Sequence, residues 1–395
     1  MFDGTKKVER KPLWSVTTWD KKFNAVAPGK QLASIKYHYL LAADLKSKVV
    51  AGGDVKLLTT NETDLWTTEE CVKGFVSEGE VVTIPWGGNP NVQYYKGRFV
   101  TADNRIATSS DVKVLDNKYL YYFMLANKDV IGSYYRGAGL KHPEMAKVLD
   151  MEIPLPPIAQ QQKIVRRFDG IVGLIAKRKE QLAKLDQLVK SRFVEMFGTL
   201  REKRFEVVSL GDLCEFIKDG THQTPTYTDD VSSGYKFLSS KDVTTGKIDW
   251  TKIKYIPAEL HAELYKRVAP RRGDILLAKN GTTGIAALVD TDAVFDIYVS
   301  LALLRFLPGN NVRYLLAAIN GEDTKRQFAA GIKGIGVPNL HLGEIKKARV
   351  LIPPRELQDK FAAFVAEVDK SEFAVRKRLE KARQLYRAKL QEYFG

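Results

Sequence analysis

The feature that most limits what this chain can fold into is that its second half repeats its first. Pro156-Pro157 recurs as Pro353-Pro354, an offset of 197 residues. The same offset carries Gln161 to Gln358, Lys163 to Lys360, Glu195 to Glu392, Phe197 to Phe394 and Gly198 to Gly395. A register kept without a gap over roughly forty residues calls for two copies of one structural plan.

Each copy has the same grammar. Pro-Pro is excluded from a helix interior but tolerated at its first turn. A proline-free run follows, and Gly198 or Gly395 closes it, as a C-terminal glycine does. In the first run the apolar positions are Ile164, Phe168, Ile171, Ile175, Leu182, Leu185, Val189 and Met196, broken at Arg178 and Arg192. In the second they are Phe361, Val365, Val368, Val375, Leu379, Ala382, Tyr386 and Tyr393, broken at Glu372 and Lys389. Alternating steps of four and three, sustained over about five heptads, predict a coiled-coil seam. At ~1.5 Å per residue such a helix is roughly 58 Å long. Pairing of the two helices is the simplest arrangement, and an antiparallel one, because a globular segment returns the chain between them. The alternative is two amphipathic helices, each packed on its own domain.

The segments ahead of the helices also correspond. Gly79-Glu80-Val81-Val82-Thr83-Ile84 faces Gly273-Asp274-Ile275-Leu276-Leu277-Ala278, and a glycine-containing loop follows each. Asn117-Lys118-Tyr119-Leu120 matches Val312-Arg313-Tyr314-Leu315, each opening a short helix. Arg136-Gly137-Ala138-Gly139 matches Lys333-Gly334-Ile335-Gly336. β-branched and aromatic clusters between glycines, prolines and asparagines predict short strands. The expected fold is α+β: two similar domains, residues 1–152 and 201–352, with long helices at 153–200 and 353–395 forming a pseudo-twofold repeat.

A chain of 395 residues with 44% hydrophobic content can bury more than one core. Its 62 Lys and Arg outnumber 47 Asp and Glu, a net charge of +15 that favours a polyanion, most commonly nucleic acid. Cys71 and Cys214 stand far apart, which suits neither a disulfide scaffold nor a zinc site. The start, Met1-Phe2-Asp3-Gly4-Thr5-Lys6-Lys7, lacks a signal peptide's apolar stretch, and no apolar run reaches the ~18 residues of a membrane span. The expectation is a soluble cytoplasmic protein.

The tools of an enzyme are missing. There is no phosphate-cradling GxxxxGK[ST] loop, and the Pro-Pro pairs follow Leu155 and Ile352 rather than the Asn or Asp of a methyltransferase box. The histidines at 38, 142, 222, 261 and 341 lack metal-ligand spacing. No catalytic residue, metal ligand or cofactor-binding residue is therefore expected in the chain.

Two variable α+β domains alternating with two similar Pro-Pro-headed helices resemble the specificity subunit of type I restriction–modification systems. The resemblance rests on Ile153-Pro154-Leu155-Pro156-Pro157 with Gln160-Gln161-Gln162-Lys163, and on Leu351-Ile352-Pro353-Pro354 with Gln358. The second domain adds Lys218-Asp219-Gly220-Thr221-His222-Gln223-Thr224-Pro225, Gly246-Lys247-Ile248-Asp249, and Arg272-Gly273-Asp274-Ile275-Leu276-Leu277 running into Gly281-Thr282-Thr283-Gly284. The first domain departs from the pattern, with Glu80 after Gly79 and Trp86-Gly87-Gly88-Asn89 in place of a Gly-Thr-x-Gly loop. The resemblance implies that each domain reads one half of a split double-stranded DNA site. It implies that the helices fix the spacer and dock two methylation subunits, that restriction subunits complete the assembly, and that S-adenosylmethionine, ATP and magnesium belong to those partners. The alternatives are the specificity subunit of a fused restriction–methylation enzyme and a non-enzymatic DNA-binding scaffold.

Reading DNA takes cations for phosphate, short polar groups or arginine for base edges, and backbone that can come close. Lys279, Asn280, Gly281, Thr282 and Thr283 supply all three, although Asn-Gly is also an ordinary hairpin turn. Thr221, His222, Gln223 and Thr224 form a second polar loop, and Lys241 a third candidate. In the first domain the candidates are Trp86, Asn89, Asn91, Tyr94 and Arg136. Arg136 and Lys333 occupy equivalent glycine-rich loops, where each is either a phosphate contact or a solvated cation.

Overall fold

The computed structural model describes residues 8–20, 34–61, 63–332 and 339–395. They form two compact units, Met1–Lys179 with Lys377–Gly395, and Glu180–Arg376. Each unit thus holds one globular domain and the adjoining portions of both long helices.

In the first unit, strand Arg10–Pro12 pairs antiparallel with Glu152–Pro154, so the chain enters and leaves the domain at one place. Between them lies a seven-stranded mixed sheet in the order Ser34–Ile35, Thr17–Asp20, Asn104–Ser109, Ser77–Pro85, Gln93–Thr101, Val55–Leu58, Trp66–Thr67. Helix Asn117–Ala126 packs on one face through Tyr119, Leu120 and Phe123, with Trp19, Ile84 and Ala107 in the same core. Its N-terminus is set by Asp116, whose side chain accepts from the backbone N–H groups of Lys118 and Tyr119, a stabilisation of ~1 kcal/mol.

The second unit repeats the plan with variations. Glu206–Ser209 pairs with Arg349–Ile352 and again closes the domain. The sheet is divided here, into a four-stranded part (Cys214–Asp219, Leu301–Phe306, Ile275–Ala278, Ala286–Leu288) and a three-stranded part (Lys254–Ile256, Tyr235–Leu238, Phe295–Ile297). Helix Val312–Ile319 takes the place of Asn117–Ala126, and Asn311 caps it as Asp116 caps its counterpart.

The repeated Pro-Pro-x₃-Gln pattern has a physical cause. Gln161 and Gln358 are both buried. Gln161 donates to Pro156 O (2.9 Å) and Val114 O (2.8 Å) and accepts from Asp116 N (3.0 Å). Gln358 donates to Pro353 O (2.9 Å) and Asn310 Oδ1 (2.8 Å) and accepts from Asn311 N (2.8 Å). One glutamine therefore ties the start of each long helix to the N-cap of the short helix, satisfying groups that would otherwise be buried unpaired.

The long helices run Ile158–Phe197 and Arg355–Phe394, each 40 residues. Gly170 and Gly173 do not interrupt the first, and Gly198 ends it at φ +72°. The seam expected from the heptads is where burial lies: Phe361, Val368, Val375, Leu379, Ala382 and Tyr393 are buried in the second helix, Ile164 and Phe168 in the first. Pairing is antiparallel. In the first unit Phe168 meets Tyr386, Tyr393 and Phe394 with ring centroids 5.7–6.0 Å apart, and Arg167 donates to the Tyr393 hydroxyl at 2.6 Å. In the second, Phe361 meets Phe193 and Phe197, both at 5.5 Å. The first turns of one helix thus lie against the last turns of the other in each unit. The helices also pack on the domains, so the two readings of their apolar faces combine: Phe394 contacts Tyr119 at 5.1 Å and Phe197 contacts Tyr314 at 4.9 Å.

Candidate nucleic-acid interface

Three polar loops of the second domain converge on the segment that follows strand Phe295–Ile297. Thr221 N donates to Ile297 O (3.1 Å) and Val299 N to Thr221 O (2.9 Å), holding the 221–224 loop. Ser300 Oγ accepts from Ser240 N (3.0 Å), which fixes the turn carrying Lys241. Ser300 O accepts from Lys279 N (2.8 Å), which fixes the start of the 279–284 loop. His222, Gln223, Thr224, Lys241, Gly281 and Thr282 are exposed at this convergence. Gly281 and Gly284 have φ of +74° and +85°, conformations that favour glycine. The loop is therefore a built turn whose tip is open, and Thr283 spends its hydroxyl inside it on Lys279 O and Gly281 O. Asn280 is half-buried and bridges to Asn339.

Lys279 departs from the expectation of a phosphate contact. It is 5% exposed, and its ammonium donates to Asp219 Oδ2 at 2.9 Å. An ammonium so enclosed is held by its carboxylate rather than offered to a ligand. Asp219 also takes His222 Nε2 at 3.2 Å and Arg267 Nη2 at 3.3 Å, so one buried carboxylate gathers two cationic side chains and an imidazole. Neither Asp219 as a hub nor Arg267 was singled out by the sequence. Their partners lie 48 and 60 positions apart, and no local pattern joins them.

The first domain assembles a different surface. Trp86 N donates to Asp103 O (2.7 Å), Gly88 N to Lys141 O (2.9 Å), and His142 Nδ1 lies 2.8 Å from Trp86 O. The Trp86 ring stands 5.1 Å from His142 and 5.6 Å from the Arg105 guanidinium. Arg136 pairs in register with His142 and is exposed, with Nε 3.2 Å from Glu144. Trp86, the exposed Asn89 and Arg136 are therefore brought together, with His142 as an addition that sequence reasoning missed and the buried Arg105 packed behind the Trp86 ring. Asn91 and Tyr94 are engaged elsewhere. Asn91 Nδ2 donates to Thr60 O at 3.3 Å. The Tyr94 hydroxyl donates to Glu80 at 2.7 Å and its ring packs on Tyr121, so it belongs to the sheet–helix packing. Burial and the Glu80 carboxylate push the Tyr94 phenol well above its ordinary pKa. Lys333 lies outside the described residues.

The type I restriction–modification DNA specificity domain model matches residues 28–187 and again 202–382. The chain belongs to the type I restriction–modification DNA specificity family. Its repeat is thus two copies of that domain, and its role is the DNA-specificity component of a restriction–modification system. It is 23% identical over 313 residues to the MjaVIII specificity subunit of Methanocaldococcus jannaschii, covering 74% of this chain and 73% of the relative. A putative type I specificity subunit of Haemophilus influenzae is 22% identical, covering 81% of this chain and 82% of the relative. The fold is shared with the crystal structure of the type I S subunit from M. genitalium, at TM-score 0.56 and 14% identity over 100% of this chain and 98% of that one. A structure from work on assembly and conformational transition of the type I system gives 0.52 and 14%, over 98% of this chain and 99% of that one. Among the described residues no helix is long and apolar enough to cross a membrane, and no cluster of His, Cys, Asp or Glu is arranged to hold a metal ion.

Proposed function

We propose that residues 1–152 and 201–352 each read one half of a bipartite DNA site, while the segments 153–200 and 353–395, with helices Ile158–Phe197 and Arg355–Phe394, set the spacer and dock two methylation subunits. Restriction subunits complete the complex in the cytoplasm. S-adenosylmethionine, ATP and magnesium are assigned to those partners, and this chain contributes recognition without catalysis. The observation that carries the reading is the convergence of His222, Gln223, Thr224, Lys241 and Thr282 on one exposed face of the second domain, in a chain of net charge +15. Thr282 and Asn280 are assigned to base edges and Lys241 to phosphate; Lys279 supports the loop from within. In the first domain Trp86, Asn89 and Arg136 take the corresponding roles. Partner docking is supported by a groove of about 960 Å³ in the second unit, walled by Leu185, Val189, Trp250 and Val368, with Phe373 open at its side.

Two measurements test this. Binding of the purified chain to duplex DNA is expected to weaken by orders of magnitude between about 50 and 200 mM salt, because phosphate contacts release counterions. Salt-independent binding contradicts the assignment of cations to phosphate. Replacing residues 201–352 with the domain of another family member should change one half of the methylated motif and leave the other half and the spacer intact. A swap that alters both halves breaks the modular reading.

A further inference from the structure

We propose that Asp219 is a positioning residue for base reading by the second domain, tethering the 221–224 and 279–284 loops to one another through its carboxylate. The inference rests on the assignment of those loops to DNA. Asp219 ends strand Cys214–Asp219 and is 7% exposed. Its three partners come from three separate places: His222 from the first loop, Lys279 from the second, and Arg267 from the last turn of helix Ala258–Arg267. Burial by itself lifts a carboxyl, but the Lys279 ammonium and His222 more than offset that and hold Asp219 below the ordinary carboxylate range. The tether is therefore charged at neutral pH.

Hydrogen bonds to charged groups are stronger and more directional than neutral ones, and they fix geometry as well as energy. Both loops are also tied to the 297–300 segment by backbone hydrogen bonds, which set where each begins. Among the described residues, the Asp219 carboxylate is what links the side chains of one loop to those of the other. Base discrimination requires reading groups held to within ~0.5 Å. A loosened tether should therefore blur the bases read while the rest of the domain stays folded.

The test uses the whole chain expressed with the partner subunits of its system, and the methylated motif is read genome-wide. With Asp219→Asn, methylation at sites carrying one wrong base in the half read by the second domain should rise ten-fold or more, with the other half unchanged. Asp219→Asn leaves a buried ammonium short of its partner and risks misfolding, so Asp219→Asn with Lys279→Met is the deciding variant. It removes both charges together, which is close to neutral for stability, and the same blurring is expected. A normal motif from the double variant at wild-type protein levels overturns the proposal, as does equal degradation of both halves. If replacement of residues 201–352 moves one half-site while the double variant reads normally, the tether alone is wrong. If that replacement moves neither half, the assignment of the domain to DNA fails with it.

Discussion

Phe361→Ala should cost about 3–5 kcal/mol, the range for emptying a buried aromatic site, and the loss should be confined to the second unit. Phe361 is fully buried and stands edge-on to Phe193 and Phe197. Its other neighbour, Tyr314, is 6.4 Å away and anchored by a 2.7 Å hydrogen bond from its hydroxyl to Leu351 O. These rings hold one another, so they cannot collapse into the vacated space, and the cavity term stays large. The loss is a fifth or more of the ~5–15 kcal/mol that keeps a domain folded. At ~1.4 kcal/mol per decade, amide protection in 312–319 and 355–365 should fall by roughly two to three and a half orders of magnitude. Protection in 117–126 and 386–394 should change little, because Phe168 and Phe394 hold a separate cluster there. Phe373→Ala is the control: that ring is 71% exposed, and surface changes stay within about 0.5 kcal/mol. Equal losses for the two variants would remove Phe361 from its place at the helix junction.

How much of this was legible in the sequence follows from which interactions are local. The long helices could be read because their signal is periodic: the residues named for the seam are buried in the second helix, apart from the half-buried Val365 and Tyr386, and buried or half-buried in the first, and Pro157, Pro354 and Gly198 stand where the helices start and stop. Gln161 and Gln358 were visible as a repeat, but their purpose was not, since the groups they satisfy are 45 and 47 positions away. The split of the second sheet, where the first domain has one continuous sheet, left no mark in short-range pattern. Lys279 shows the limit most plainly. A lysine beside Asn-Gly reads as a loop cation for phosphate, and only the fold brings Asp219 to its ammonium. Tyr94 is alike, an aromatic near a glycine loop whose hydroxyl donates to Glu80 across the strand pair.

Gly220→Ala should remove the second domain's reading altogether while leaving the first half-site intact. A Cβ built on Gly220 falls 1.8 Å from Ile297 O and 2.7 Å from Tyr298 C. Both are backbone atoms of the segment that receives Thr221, so no side-chain rotation relieves the overlap. The strand end must move, and the Thr221 N to Ile297 O and Val299 N to Thr221 O bonds, at 3.1 and 2.9 Å, open with it. Overpacking into a close-packed site costs about 1–3 kcal/mol and more where backbone is struck. Gly281→Ala supplies the comparison. Its φ of +74° strains any L side chain by ~1–2 kcal/mol, yet a Cβ there has nothing nearer than Ser240 Oγ at 3.9 Å. The tip of that loop should tighten or shift without dislodging its neighbours. In cells carrying the full system, Gly220→Ala should leave one half of the methylated motif defined and the other reduced to no preference, whereas Gly281→Ala should weaken preference at one or two positions of that same half. An unchanged motif from Gly220→Ala would show that the 221–224 loop does not depend on its seat against residues 297–299, and would take it out of the DNA-reading surface.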